Sequence, residues 1–194
     1  MNNVILDIKT GKAEPWAALQ TAAYALLDMF VGVEFDDEKH LYFYQGNKLD
    51  SVTQILQAEG FIDIRWYDDW SRQKGKYVHQ AIKYYLADEL DESSLDPEIK
   101  PYLEAFKKFL SDSNFNITSS ERPGISTILK YAGTPDISGF FPNGNRPGTA
   151  GRFALELNNK GKYRLTEFKD KTDFDVWRSV VAVYHWKQNN LRRK

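Results

Sequence analysis

The opening of the chain constrains the fold more than any other stretch. Residues 3–12 read Asn-Val-Ile-Leu-Asp-Ile-Lys-Thr-Gly-Lys. An apolar run, Val4-Ile5-Leu6, leads into Asp7, one further apolar residue and Lys9. The run reads as a buried strand over residues 3–8, broken by Gly11. Residues two apart on a strand share a face. Asp7 and Lys9 therefore approach one point in space, an acid and a base at the end of a strand whose body is apolar.

The remaining chain reads as one α/β domain over residues 1–194, without repeats or a low-complexity linker. Pro15 opens an Ala- and Leu-rich helix over 15–30. On it Gln20 and Tyr24, four apart, share a face. Residues 31–50 read as a strand pair turning at Gly46-Asn47. Ser51 caps a short helix that Gly60 ends. Residues 61–75 show no clear period and read as loop and short helix. A helix follows over 75–88, with Val78, Ile82 and Tyr85 on one side. Asp96-Pro97-Glu98 reads as the start of the next helix, with Pro101 as a weak point. Residues 115–142 return to strand, 143–151 read as a turn or mobile loop, and a hairpin around Asn158–Gly161 follows. A closing helix carries Phe174, Trp177, Val181 and Tyr184 inward, and the basic tail Leu-Arg-Arg-Lys reads as frayed.

Composition removes several function classes. There is no cysteine, which excludes disulfides, thiolate zinc sites and cysteine nucleophiles. A formal net charge of -1 argues against a strongly basic nucleic-acid coat, though a local basic groove fits within a neutral total. No stretch approaches the roughly 18 apolar residues of a membrane span, and no targeting leader is read at the start. A cytoplasmic protein with no membrane partner is the expectation.

Four features carry candidate chemistry: Asp7 with Lys9; Asp136, directly after a turn and at the start of a strand; His79, on a helix; and the Gln20/Tyr24 pair. Each has an ordinary structural reading. Asp-x-Lys on a strand is usually a solvated face, and Asp136 after Thr-Pro fits turn chemistry. A single helical histidine is more often structural, as His40 and His185 are read here. Together the four suggest more. Two carboxylates and an imidazole can hold a divalent ion, and hard carboxylate oxygens suit Mg²⁺ or Mn²⁺. A lysine beside such an ion can orient a water for attack on a phosphodiester.

These residues also carry a resemblance. Gly75 to His79 (Gly-x-x-x-His), Gly133 to Asp136 (Gly-x-x-Asp), Asp7-Ile8-Lys9-Thr10 and Gln20 to Tyr24 (Gln-x-x-x-Tyr) resemble the motifs of the PD-(D/E)xK nuclease superfamily, in its RecB-like, phage-exonuclease branch. Each motif is weak alone; four together are fairly specific. The resemblance implies a restriction-endonuclease-like core, a central mixed sheet flanked by helices, with helical elaboration. It implies that His79, Asp136, Asp7 and the Ile8 carbonyl hold Mg²⁺ or Mn²⁺, and that Lys9 serves the attacking water. Gln20 and Tyr24 would shape the site and contact DNA or the catalytic groups, and Glu121 is a more doubtful extra acid. The implied activity is metal-dependent DNA exonuclease action of recombination or repair type. DNA, a single-strand annealing protein and further copies of the chain are the implied partners.

The motif order departs from the family's. There, Gly-x-x-Asp precedes Asp-x-Lys; here Asp7 stands about 130 residues ahead of Asp136. The family order would run roughly 33–144, then 1–31, then 145–194, a transposed block rather than a circular permutation. Two readings are open: a segment moved in the gene with the same core re-formed, or a printed order that departs from the covalent one. Two rival functions also remain, a catalytically silent nuclease-fold DNA-binding module and an endonuclease of the same fold.

Overall fold

The computed structural model describes residues 3–36, 38–63, 68–142 and 151–191. The expected loop over 143–150 and the frayed residues 192–194 lie outside these, as does part of the 61–75 stretch. The chain divides into two compact units, each assembled from segments distant in sequence. The first comprises Met1–Glu14, Arg65–Glu121 and Asp136–Phe168; the second comprises Pro15–Ile64, Arg122–Pro135 and Lys169–Lys194. Among the described residues no helix is long and apolar enough to cross a membrane.

In chain order the elements are β1 (Val4–Lys9), α1 (Ala17–Ala25), β2 (Val33–Asp36), β3 (Leu41–Tyr44), β4 (Asn47–Leu49), α2 (Val52–Ala58), α3 (Asp69–Leu86) and α4 (Lys100–Ser113). There follow β5 (Asn116–Ser120), β6 (Gly124–Ser126), β7 (Tyr131–Gly133), β8 (Ile137–Phe140), β9 (Gly151–Leu157), β10 (Tyr163–Glu167) and α5 (Thr172–Asn190).

The first unit is an α/β layer built on a mixed five-stranded sheet, ordered β10-β9-β1-β8-β5. The N-terminal strand is central, parallel to β9 and antiparallel to β8. That place explains its apolar composition, since a strand hydrogen-bonded on both sides and buried reads as a near-continuous apolar run. Alternation then sorts its side chains. Val4, Leu6 and Ile8 join Leu155, Leu157 and Ile137 in a core that also holds Val78 and Ile82 of α3 and Leu103, Phe106 and Phe109 of α4. Fully burying each such side chain is worth about 1.5–3 kcal/mol. Ile5, Asp7 and Lys9 take the opposite face.

Several boundaries differ from the sequence reading for identifiable reasons. The helix expected over 75–88 begins earlier, at Asp69, because the Asp68 side chain caps it by accepting from the Ser71 N–H at 2.6 Å. The helix expected at Asp96 begins at Lys100. The Asp96 carboxylate and carbonyl instead bind the N–H groups of Glu98 and Ile99 in a preceding turn. Pro101, not Pro97, occupies the first helical turn, and Asn114 ends the helix in the left-handed region at φ 49°.

The second unit holds the three-stranded sheet β2-β3-β4, the pair β6-β7, and α1, α2 and α5. Residues 31–50 form three strands rather than two. Gln45 and Gly46, both at positive φ, make the tight turn, and Asn47 already belongs to β4. α1 stops at Ala25, short of the expected residue 30, because the N–H groups of Asp28 and Met29 are taken by the Ile125 carbonyl. The Ser51 cap is present as a full capping box with Gln54. Trp177, Val181 and Tyr184 of α5 are buried as expected, and Phe174 is half-buried. His185 lies 3.0 Å from the Leu129 carbonyl, and His40 packs edge-on against Phe35 and Tyr42.

Gly139 in β8 sets the closeness of β5. A Cβ there would collide with the Asn116 carbonyl and meet the Phe115 ring at 2.6 Å. Gly139→Ala should therefore destabilise the first unit by about 1–3 kcal/mol through overpacking. Gly11→Ala, with nothing within 4 Å of the added methyl, should be near neutral. Urea denaturation of the two variants side by side checks this.

Candidate functional site

Register builds the site. Leu6 pairs with Ile137, so the next step along the antiparallel pair sets Asp7 opposite Asp136. Ser120 pairs with Ile137 on the other side of β8, and the Glu121 N–H donates to the Asp136 carbonyl at 2.9 Å. Three carboxylates thus stand in a row across β1, β8 and β5, at one end of the sheet, with neighbouring strands about 4.8 Å apart. Glu121 adopts φ 45°, uncommon for a residue other than glycine. Its backbone turns there to leave β5.

α3 supplies the fourth group. Its Gly75 passes close to Thr10, whose hydroxyl lies 3.9 Å from where a Cβ would stand. One turn later the His79 Nδ1 lies 3.6 Å from Asp136 Oδ1 and 3.9 Å from Glu121 Oε1. Lys83, a further turn on, places Nζ 3.5 Å from Glu121 Oε2. The Ile8 side chain is in the core on the far face, so only its backbone serves the site. Its N–H donates to Asp136 Oδ2 at 2.6 Å. Its carbonyl lies within reach of the His79 ring, where it favours the protonated imidazole.

The electrostatics are those of crowded, buried acids. Burial is the main cause that lifts the Asp7 carboxyl to about 6, opposed by Lys9 and reinforced by Asp136. Burial likewise lifts Asp136 to about 6, against Lys9 and the Ile8 N–H. Desolvation is also the largest influence on His79 and lowers its pKa, partly offset by Glu121. The imidazole is therefore neutral at pH 7, the state that binds a metal. Lys9 Nζ lies 2.8 Å from Asp7 Oδ2, a close ion pair that opposes the rise in the Asp7 pKa.

A hard divalent cation fits this donor set. It offers the buried Asp7 carboxylate, the half-buried Asp136 carboxylate, a neutral imidazole and a backbone carbonyl. The separations of 3.6 and 3.9 Å from His79 are too long for good hydrogen bonds. Among the described residues no three acidic or imidazole side chains close around a single point. The fit rests on the pairwise separations and the buried charge.

Asp7, Ile8, Lys9, His79 and Asp136 are therefore brought together, and Glu121 joins them. Gln20 and Tyr24 belong to the second unit. There both are buried, and the Gln20 amide donates to the Tyr24 hydroxyl at 2.9 Å. Tyr24 packs on Gly133, where a Cβ would come within 2.8 Å of its ring. Two residues escaped the sequence reading. Lys83 was detectable as the position four after His79 on the same helix. Glu156 pairs in register with Lys9 and accepts the Ala13 N–H at 3.0 Å; only strand pairing reveals it. No family model matches the chain, and no curated protein matches it.

The raised carboxyls make metal-free stability depend on pH. An acid whose pKa is higher folded than unfolded stabilises the fold fully below its unfolded value of 3.8. That contribution is lost as pH rises through about 6. A rise from 3.8 to about 6 in one carboxyl corresponds to roughly 3 kcal/mol. Asp136→Asn keeps an acceptor for the Ile8 N–H and removes the charge. In EDTA it should be more stable than wild type by roughly 2–3 kcal/mol at pH 7.5, and equal to it below pH 4. Urea denaturation across pH checks both ends of the window.

Proposed function

We propose that this protein is a metal-dependent DNA nuclease, an exonuclease with a restriction-endonuclease-like core that works with Mg²⁺ or Mn²⁺. One observation carries the reading: Asp7 and Lys9 from the first strand meet Asp136, His79 and Glu121 from segments far away in the chain. Nothing in core packing calls for so many ionisable groups at one buried point, since burying them is costly. Clusters of this kind with shifted pKa values mark functional sites.

In this reading Asp7, Asp136, His79 and the Ile8 carbonyl hold the ion, and Glu121 adds negative charge beside His79. The ion, when bound, supplies Lewis-acid stabilisation of charge on the phosphoryl oxygens. Lys9 emerges from the same strand face as Asp7, with its side chain 19% exposed. From there its ammonium orients a water by hydrogen bonding and meets the negative charge that builds on the phosphate. Lys83 offers a second cation at the Glu121 side. Gln20 and Tyr24 remain substrate-contact candidates through the resemblance alone. The same resemblance supplies a single-strand annealing protein and further copies of the chain as partners; composition supplies the expectation of a cytoplasmic place of work.

The test is cleavage of end-labelled linear duplex DNA with Mg²⁺ or Mn²⁺. Wild type should release label, EDTA should abolish release, and Lys9→Ala should lower the rate about 10²–10⁴-fold. Covalently closed circular DNA should stay intact; its cleavage would assign an endonuclease instead. A folded wild type that binds DNA but releases no label would overturn the enzyme reading in favour of a binding module.

A further inference from the structure

The β9–β10 hairpin carries a row of cations that core packing does not use. Its turn reads Asn158-Asn159-Lys160-Gly161-Lys162, and β10 continues with Tyr163, Arg164 and Leu165. Alternation sorts these side chains. Tyr163 and Leu165 pack against the core of the first unit. Arg164 pairs in register with Glu156, and Glu156 with Lys9. Arg164 therefore lies on the face of the sheet that bears Asp7 and Lys9. The Asn158 N–H donates to the Lys162 carbonyl at 3.1 Å, which carries the pairing one step further and gives Lys162 the same face as Arg164. The Asn158 side chain fixes the turn by accepting from the N–H groups of Lys160 and Lys162 at 2.9 and 3.2 Å. β9 runs parallel to β1, so the hairpin lies at the end of the sheet where Lys9 and the three acids stand.

The charge of this row is largely uncompensated. Lys160, Lys162 and Arg164 are all exposed. Among the described residues no carboxylate pairs with the Lys160 or Lys162 ammonium. The α4 acids beside the hairpin, Glu104 near Gly161 and Asp112 at the Tyr163 hydroxyl, are paired with Lys107 and Lys108. Arg164 Nε is 4.0 Å from Glu156 Oε2, at the limit of an ion pair, and the other oxygen of that carboxylate accepts the Ala13 N–H. Glu156 thus offsets one cation in part and leaves the edge positive. Lysines on an edge strand also deter strand addition. That task needs charge anywhere along the edge and does not call for Arg164 in the row of Lys9. A line of cations without a closed pocket suits a phosphate backbone rather than a base. Two steps across the sheet put Arg164 about 10 Å from Lys9. A DNA strand presents a phosphate about every 3.4 Å of helix axis, so the row begins about three phosphates from the one at Asp7.

We propose that the β9–β10 hairpin is a backbone rail for the DNA substrate, on which Lys160, Lys162 and Arg164 hold phosphates of the strand whose reacting phosphate is placed at Asp7 and Asp136. The inference rests on the nuclease reading and deepens it. Contacts to phosphate carry no sequence information, and they weaken as salt rises.

The test uses the full chain in EDTA, which withholds the metal that cleavage needs. Fluorescence anisotropy measures binding to a linear DNA duplex over a range of salt. Lys160→Gln combined with Lys162→Gln should weaken binding roughly 10-fold and make the slope of log affinity against log salt shallower by about 1–2. Arg164→Gln should act in the same direction with a slope change of about 1. Lys39→Gln combined with Lys48→Gln, at exposed positions of the second unit and with the same change of net charge, should leave both affinity and slope unchanged. The chain has no cysteine, so a photo-cross-linker can be attached at Asn159→Cys alone. It should join to the duplex, and the same group at Lys48→Cys should not. Equal losses in the two double variants, an unchanged salt slope in Lys160→Gln with Lys162→Gln, or no cross-link from Asn159→Cys overturns the proposal. So does a wild type that fails to bind the duplex at low salt. Absence of cleavage with Mg²⁺ or Mn²⁺ defeats the nuclease reading by itself; these binding readouts in EDTA fail separately from it.

Discussion

The first unit depends on a pairing that electrostatics alone would reject. Asp7 and Asp136 stand opposite each other across adjacent strands, and Glu121 continues the row. Like charges directly opposite on a sheet are destabilising. The pairing survives because the opposite face of β1 leaves no freedom to move. Val4, Leu6 and Ile8 are almost wholly buried among Leu155, Leu157, Phe106 and Phe109. A slip of one residue would send all three into the polar face and Ile5, Asp7 and Lys9 into the core. The apolar face sets the register, and the register sets the acids side by side. Lys9 and the Ile8 N–H then offset part of the repulsion.

This dependence has a kinetic side. The central strand of the sheet is first in sequence, and its two neighbours lie beyond residue 136. Its ladder closes only after most of the chain is present, and such non-local pairing forms slowly. Val4 pairs with Gly139, so the start of β1 and the end of β8 are neighbours. A tight turn joining them would leave this ladder as it is. Hydrogen bonds and side-chain alternation hold β1 in place, whichever connection delivers it.

The sequence was legible where the signal is local. Residues 3–8 read as a strand because their composition admits little else, and the strand forms over Val4–Lys9; Ser51 reads as a cap, and it forms a full capping box with Gln54. The hairpin at Asn158–Gly161 was visible in the same way, with Gly161 at φ 66°. Boundaries failed where a distant group decides them. α1 ends just before Asp28 and Met29, whose N–H groups are captured by Ile125, about a hundred residues away. The division into two units was not visible, because each is built from three separated segments. At the site, the types and spacings of Asp7, Lys9, His79 and Asp136 were readable. Glu121 stayed doubtful, and Glu156 was not singled out, because their relevance lies in which strand is paired with which. Alternation tells a residue's face and carries no information about its neighbour on the next strand.

The same logic explains how a chain of near-neutral total charge can present a charged site. α3 divides its circumference into three faces with different tasks. Val78 and Ile82 anchor it to the core, which makes its rotation as rigid as the packing behind it. Given that rotation, His79 and Lys83 must meet Asp136 and Glu121, and Tyr77, Gln80 and Tyr84 must stand outside. A change of residue at Ile82 would therefore act on all three faces together, through the helix's angle of roll rather than through any contact of its own with the acids. The buried stripe of α3 is thus as much a determinant of the site as the residues that line it, and it bears no chemical signature by which a sequence reader would count it.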